Sequence, residues 1–275
     1  MTYPAEGESL STFRLRKRTP GTFVLVPFPK QGRSIRCQGQ LEAATAQILA
    51  GCPLVREIQE QPLAIWYAWS EETGVITLLN GPPTKDFRKV NRCSYIVPDF
   101  LVTMQSGAKH LIEVKPSAKL GRPLVERKMS VARLYAKCHG WTFHIVTERE
   151  LFSKPLLANV RLLNRFRQLQ TDPLHVNRIE TAVASRPTSL GELLRCVATK
   201  ADAQIVKATV LHLIAIEQMA IDPRFTPITT DTQLYPGGAC PWDPFDSVWG
   251  PSGSATNGCF ASSANSVPKN SSPQT

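Results

Sequence analysis

Three ionisable side chains, Asp99, Glu113 and Lys115, interrupt two apolar runs in the middle of the chain. The runs, residues 95–104 and 110–114, are rich in β-branched residues and flank a Ser-Gly turn signal, which predicts a β-hairpin with a buried strand. Glu113 and Lys115 are two positions apart and therefore project from the same face of their strand. Asp99 lies on that face only if the connection holds an odd number of residues or a bulge shifts the register.

The predicted cluster of two carboxylates and a lysine is suited to phosphodiester hydrolysis. Directly opposed carboxylates, with Cβ atoms about 5 Å apart, repel each other unless a proton or a cation lies between them. Such oxygen ligands favour Mg²⁺ or Mn²⁺, which can polarise a phosphoryl oxygen and lower the pKa of a bound water. Lys115 could orient that water or stabilise charge on the phosphate. The alternative is a hairpin with a surface aspartate and a Glu/Lys ion pair.

The same residues form a family pattern. Pro98-Asp99 followed by Glu113-Val114-Lys115 is the PD-(D/E)xK pattern of the restriction-endonuclease-like nucleases. The surrounding order of motifs resembles the nuclease domain of TnsA-type endonucleases, the heteromeric-transposase subunits that cut the 5′ ends of an element. This resemblance covers residues 35–150 well and residues 155–232 more loosely. The order runs through Gln40-Leu-Glu42, Pro53-Leu-Val55, Glu60-Gln-Pro-Leu63, Tyr95-x-x-Pro-Asp-Phe100 and Phe143-His-Ile-Val-Thr147.

The resemblance implies roles for four side chains and one carbonyl. Asp99, Glu113 and the Val114 carbonyl would bind Mg²⁺, for which Mn²⁺ would substitute, and Lys115 would stabilise phosphate or orient the nucleophile. Glu42 occupies the place of the family's helical glutamate and would position metal or water. By position alone, Glu42 is a first-turn acid favoured by the helix dipole. The implied partners are double-stranded DNA at transposon ends, a TnsB-type DDE transposase, and a TnsC-type ATPase regulator that engages the C-terminal domain.

Further candidate residues surround this set. Gln61 stands where related nucleases carry a Gln-Pro pair and is a second-rank candidate for orienting the site; the alternative is an edge-strand glutamine. Lys128 falls within the apolar arc of its helix and either snorkels or points toward phosphate. The formal charge of +10 is the electrostatic signature of a phosphate-backbone partner. We expect four cations in the turn-rich connection before the hairpin to contact DNA: Lys85, Arg88, Lys89 and Arg92.

The periodicities predict an α/β fold with a mixed sheet flanked by helices, and the resemblance implies that this sheet is restriction-endonuclease-like. Helices are expected over residues 39–50 and from Pro123 to Gly140, and strands over residues 58–69 and 141–146. Together with the hairpin, these elements supply a sheet and the helices that cover it.

The composition divides the chain into four segments. Three helices and two wing strands, at residues 219–222 and 227–230, predict a winged-helix-like domain, for which DNA binding and protein docking both stay open. The last segment is rich in Gly, Pro, Ser and Asn, a composition that cannot offset ordering entropy by burial. The predicted segments are a basic N-terminal arm (1–33), the PD-(D/E)xK nuclease domain (34–171), the winged-helix-like domain (172–235) and a disordered tail (236–275). Within the arm we expect a basic cluster at residues 14–18, either solvated or in contact with phosphate, and a short strand over residues 22–26. Within the tail, an aromatic stretch at residues 241–249 could bind a partner.

The chain shows neither a signal-peptide core nor a run of 18 apolar residues, so we expect no export and no membrane span. Seven scattered cysteines without a Cys-x-x-Cys motif indicate reduced thiols in a cytosol and argue against a zinc site. The resemblance implies that this is a bacterial cytoplasm. We therefore predict a Mg²⁺-dependent DNA endonuclease that cuts the non-transferred strands of a transposon beside a DDE transposase. The alternatives are a free-standing nuclease of the same superfamily, restriction or junction-resolving, and a non-catalytic basic DNA-binding scaffold.

Overall fold

The computed structural model of the protein describes residues 24–185, 188–239 and 241–249. No helix formed by these residues is both long and apolar enough to span a membrane. Up to residue 164 the strands are β1 (Val24–Phe28), β2 (Arg33–Cys37), β3 (Val55–Glu60), β4 (Ile65–Trp69), β5 (Ile76–Leu79), β6 (Arg92–Ile96), β7 (Phe100–Met104), β8 (Lys109–Val114) and β9 (Thr142–Val146). The helices of this part are α1 (Gln40–Gly51), α2 (Lys85–Val90), α3 (Pro123–Cys138), α4 (Glu148–Phe152) and α5 (Leu156–Asn164). Beyond it lie α6 (Pro173–Ser185), β10 (Thr188–Ser189), α7 (Leu190–Val197), α8 (Ala203–Ala215), β11 (Met219–Ala220), β12 (Gln233–Pro236) and α9 (Pro244–Ser247).

A four-stranded mixed sheet forms the centre of the N-terminal part. Its strand order is β3-β7-β8-β9, with antiparallel pairing of β3 with β7 and of β7 with β8, and parallel pairing of β8 with β9. Every residue of β7 is buried, because other elements cover both faces of the sheet. The predicted α/β fold with a mixed sheet agrees with this arrangement.

One face of the central sheet is covered by α1, the β1–β2 hairpin, α4 and α5, which share a single apolar core with it. Four alanines favour the helical backbone of α1, and its Ile48 and Leu49 are fully buried in this core. The opposite face packs against α3 and a second, antiparallel sheet of order β5-β4-β6. The sheet is therefore the middle layer of the fold, and only its edges and strand ends reach solvent.

Two of the predicted strands are divided in the structure. The predicted strand 58–69 is β3 and β4, which belong to different sheets, and the run 95–104 is β6 and β7. The breaks fall at Pro62 and Pro98, because proline has no N–H to donate to a central ladder. The chain thus passes twice between the two sheets, and the second passage leads directly into Asp99.

The short strand predicted over residues 22–26 corresponds to β1, whereas the predicted basic arm is wrong for residues 27–33. β1 and β2 pair antiparallel from Val24 opposite Cys37 to Phe28 opposite Arg33. Alternate side chains of β1 point into the core, where Phe28 is fully buried. The basic cluster at residues 14–18 lies outside the described residues.

The C-terminal part has a small core of its own, built by α6, α7, α8 and an antiparallel sheet of order β10-β12-β11. The first predicted wing strand corresponds to β11, but the second lies at Gln233–Pro236 and not at residues 227–230. Residues 227–230 form a loop because the buried Asn159 of α5 engages them: its Oδ1 accepts from the Ile228 N–H at 3.1 Å. The same side chain joins this part to the nuclease part.

Residues 241–249 pack against the nuclease part, so the predicted disordered tail is wrong for this segment. Trp242, Phe245 and Trp249 are buried in the core that covers the central sheet. The Phe245 ring stacks on His110 with ring centroids 3.9 Å apart, and the Trp249 carbonyl accepts from His144 Nδ1 at 2.9 Å. Three buried aromatic side chains offset the entropy that ordering costs. Residues 250–275 lie outside the described residues.

Candidate active site

Asp99 and Glu113 face each other across the β7–β8 hairpin. The ladder pairs Phe100 with Ile112, so the next position along both strands places Asp99 opposite Glu113. Residues 104–108 connect the last paired residues of the two strands, and their odd number is the condition under which the two carboxylates share a face. The register that the sequence left open is therefore the one the predicted site requires.

Short polar contacts hold the predicted catalytic residues in one cluster. Asp99 Oδ2 accepts from the Val114 N–H at 2.7 Å. Lys115 Nζ lies 2.5 Å from Glu113 Oε1 and 4.0 Å from Asp99 Oδ2, and it donates to the Val114 carbonyl at 3.3 Å. Glu113 is only 3% exposed, so the cluster is largely shielded from water. The lysine serves as the counter-ion of both carboxylates.

Burial and mutual repulsion perturb the protonation of this cluster. Burial, together with the charge of Asp99, raises the pKa of Glu113 to about 8. Burial also raises the pKa of Asp99. For Lys115, burial lowers the pKa, but Asp99 and Glu113 outweigh it, and the pKa is raised overall. Near neutral pH the two carboxyl groups therefore retain a proton between them unless a further cation approaches.

Glu42 extends the cluster from the first turn of α1. Its Oε2 accepts from the Gln38 N–H at 2.7 Å. Burial, followed by the charge of Asp99, raises the pKa of Glu42 to about 7, so the two carboxylates interact. The pKa of the neighbouring Cys37 thiol is raised to about 12, first by burial and then by the negative charges of Glu42, Glu60 and Asp99. Glu42 therefore adds negative electrostatic potential to the site formed by Asp99 and Glu113.

The residues present fit a hard divalent cation. Glu113 Oε2 is buried and has no hydrogen-bond partner, a costly arrangement that a bound cation would relieve. Within the described ranges no three His, Cys, Asp or Glu side chains converge as a metal-ligand set. The oxygen atoms available to bind a metal ion are therefore those of the Asp99 and Glu113 carboxylates and the Val114 carbonyl. This matches Mg²⁺, which keeps several waters and takes one or two carboxylates together with substrate phosphates.

Both second-rank candidates lie beside the cluster. The Gln61 N–H donates to the Asp99 carbonyl at 2.8 Å, and Gln61 adopts a φ of +46°, a left-handed conformation that is strained for a residue other than glycine. Lys128, half-buried on α3, is close enough to lower the pKa of Glu113 against the larger effect of burial. The structure therefore gathers these two with Asp99 and Glu113.

An ion pair that the sequence analysis missed supports the site. Arg33 Nη1 donates to both carboxylate oxygens of Glu60, at 2.8 and 3.1 Å, and Glu60 is 5% exposed. The pair ties the hairpin that leads to Gln38 to the strand that ends beside Gln61. The available signal was a glutamate within a buried strand, since such a charge requires a partner. The partner is 27 residues away in sequence, which no local pattern reveals.

The four cations expected to bind DNA lie on or just after α2 and are exposed: Lys85, Arg88, Lys89 and Arg92. Lys89 pairs with Asp86 at 2.8 Å and Arg92 with Glu71 at 3.1 Å. Ion pairs at such exposure are weak, so phosphates could displace them. DNA binding by this segment stays a prediction.

The fold and the cluster agree with the class of PD-(D/E)xK nucleases: a mixed sheet whose central hairpin carries Asp99, Glu113 and Lys115 together. Residues 52–148 match the family described as TnsA-like endonuclease N terminal. The matched segment contains all three residues and confirms the predicted resemblance to TnsA-type endonucleases. It indicates a nuclease that acts in transposition. The match includes neither Glu42 nor the residues after 148. No curated protein matches the chain.

Proposed function

We propose that the protein is a metal-dependent DNA endonuclease that cuts the 5′ ends of a transposon, on the non-transferred strands, together with a TnsB-type DDE transposase. The observation that carries this proposal is the buried pair of opposed carboxylates, Asp99 and Glu113, with one Glu113 oxygen uncompensated. A surface ion pair, the alternative from the sequence, would be exposed and satisfied by water. The TnsA-like match supplies the transposition context.

The residues divide the chemistry among them. Mg²⁺ bound by Asp99, Glu113 and the Val114 carbonyl would polarise the scissile phosphate and acidify a water. Lys115 carries its positive charge beside this set and would stabilise charge on the phosphate or orient the nucleophile. Glu42, with a pKa of about 7, can exchange a proton near neutral pH and would position the attacking water.

We further propose that the C-terminal part is a winged helix that docks a TnsC-type ATPase regulator. Three helices, with β10 between the first two and β11 and β12 after the third, and the antiparallel strand order β10-β12-β11 support the winged-helix assignment. A protein partner is favoured over base reading because α8 offers few polar side chains. Lys207 is exposed, but His212 Nδ1 donates to the Phe166 carbonyl at 2.8 Å. The exposed cations at and after α2 would hold the DNA near the site.

Calorimetric titration of Mn²⁺ tests the metal site directly. We expect wild type to bind, Asp99→Asn to lose binding, and the control Asp86→Asn to bind like wild type, because the Asp86 side chain is 88% exposed. Equal binding by wild type and Asp99→Asn would show that this aspartate is not a ligand. Repeating the titration in the presence of a DNA duplex would detect a metal site that forms only when DNA is bound.

Nicking of a transposon-end duplex, with the transposase and regulator added, tests the reaction. An enzyme should keep DNA affinity and lose nicking in Asp99→Asn. An unchanged phenotype favours the non-catalytic scaffold, and efficient cleavage without partners favours the free-standing nuclease.

A further inference from the structure

A groove of about 410 Å³ lies between α4 and α5, on elements that the proposed active site does not use. Its floor includes Leu151 and Leu157, which are buried in the nuclease core. Phe152 stands at its side with 59% of its surface exposed. The groove therefore presents one exposed aromatic side chain, Phe152, above leucines that are only 1% and 3% exposed.

Cations line the rim of this groove, and none of the described residues lining it is acidic. Arg165 is exposed, Arg161 is fixed by a hydrogen bond from Nε to Gln47 Oε1 at 2.9 Å, and Lys154 Nζ lies 5.0 Å from the centroid of the Phe225 ring. Two of the three charges are therefore held near the rim by neighbouring side chains. A ligand that fills the groove must bring negative charge as well as apolar surface.

Neither terminal segment outside the described ranges, residues 1–23 or residues 250–275, is acidic overall. Residues 250–275 contain one lysine and no acidic residue. Residues 1–23 contain two glutamates against four basic residues: Arg14, Arg16, Lys17 and Arg18. Charge complementarity thus favours a ligand from another molecule.

We propose that this groove docks a short acidic segment of a partner protein, anchored by an aromatic or aliphatic side chain. The anchor would pack on the floor and against Phe152, and flanking carboxylates would pair with Arg161 and Arg165. DNA fits less well because phosphates would satisfy the cations but leave the exposed Phe152 ring uncovered. The proposal is independent of nuclease activity.

Selection of random phage-displayed peptides on the full-length protein, at physiological ionic strength, tests this docking site. We expect the enriched peptides to combine Asp or Glu with an aromatic residue or leucine. Their synthetic forms, measured by fluorescence anisotropy, should bind about tenfold more weakly to Arg165→Glu and to Phe152→Ser. The controls make the same chemical changes at exposed sites elsewhere: Arg195→Glu on α7 and Val90→Ser on α2. Both should bind like wild type.

Three results would overturn the proposal. One is a selection without acidic peptides, or with acidic peptides whose affinity neither groove variant changes. Another is a loss of duplex DNA affinity in both groove variants without an effect on peptides, which would assign the groove to DNA. The last is a change in sedimentation of the groove variants alone, which would assign it to a second copy of this chain. Thermal unfolding of each variant verifies that the exposed substitutions leave the fold intact.

Discussion

Replacing Glu113 by glutamine should stabilise the metal-free protein, and more so as the pH rises. The pKa of buried Glu113 is about 8, against 4.5 for a solvated glutamate, so the unfolded chain releases this proton first as the pH rises. Between these two values each rise in pH favours the unfolded state, and the unfolding free energy of wild type falls. Glutamine does not titrate. At pH 7 the difference corresponds to about 3 kcal/mol in favour of Glu113→Gln.

Urea denaturation followed by tryptophan fluorescence, with a chelator present, measures this effect. At pH 5 wild type and Glu113→Gln should unfold at similar urea concentrations, and at pH 8 the variant should be clearly more stable. The control is Glu180→Gln, an exposed glutamate on α6 that should change neither value. Adding Mn²⁺ at pH 8 should stabilise wild type and leave Glu113→Gln unchanged, since only wild type retains both carboxylate ligands.

A variant that is no more stable than wild type at pH 8 would refute the reasoning. It would mean that Glu113 ionises in the folded protein as easily as in water. The opposed, buried carboxylate pair would then not exist in solution.

Three further results are expected. Mn²⁺ affinity should rise between pH 6 and pH 8, because Glu42 and Glu113 lose protons with pKa values of about 7 and about 8, and calorimetry in two buffers should detect proton release. Lys115→Met should retain or tighten Mn²⁺ binding by removing a competing cation, while the nicking rate falls about 10²- to 10³-fold. Trp249→Ala should lower the unfolding free energy in urea by about 3–5 kcal/mol, because this side chain is 2% exposed in the core.

Each of these three predictions can be contradicted by a specific result. Metal binding without proton release would exclude the buried carboxylates as ligands. Lys119→Met, at an exposed position near the site in sequence, should nick like wild type; if Lys115→Met does so too, the lysine has no role in the reaction. A neutral Trp249→Ala would show that residues 241–249 do not pack on the nuclease core.

The sequence alone identified the three central residues of this candidate site. Asp99, Glu113 and Lys115 are charges inside apolar strand patterns, and such exceptions stand out because burial of an unpaired charge is costly. The helices α1 and α3 and the strands β8 and β9 were also predictable, since their periodicities are local properties of the chain. Pro62 and Pro98, which separate β3 from β4 and β6 from β7, were local signals for a strand end. The continuous apolar pattern on either side of each proline nevertheless suggested a single strand.

Only the tertiary structure decided what depends on distant neighbours. The hairpin register, which places Asp99 opposite Glu113, follows from the packing of both faces of the sheet and not from the turn residues alone. Arg33 meets Glu60 across two different elements, so neither residue reveals the other. Residues 241–249 have the composition of a disordered tail, yet they order because a complementary apolar surface exists for their three aromatic rings. Composition gives the apolar side chains that a segment contains, but whether they become buried depends on the surface of the rest of the fold.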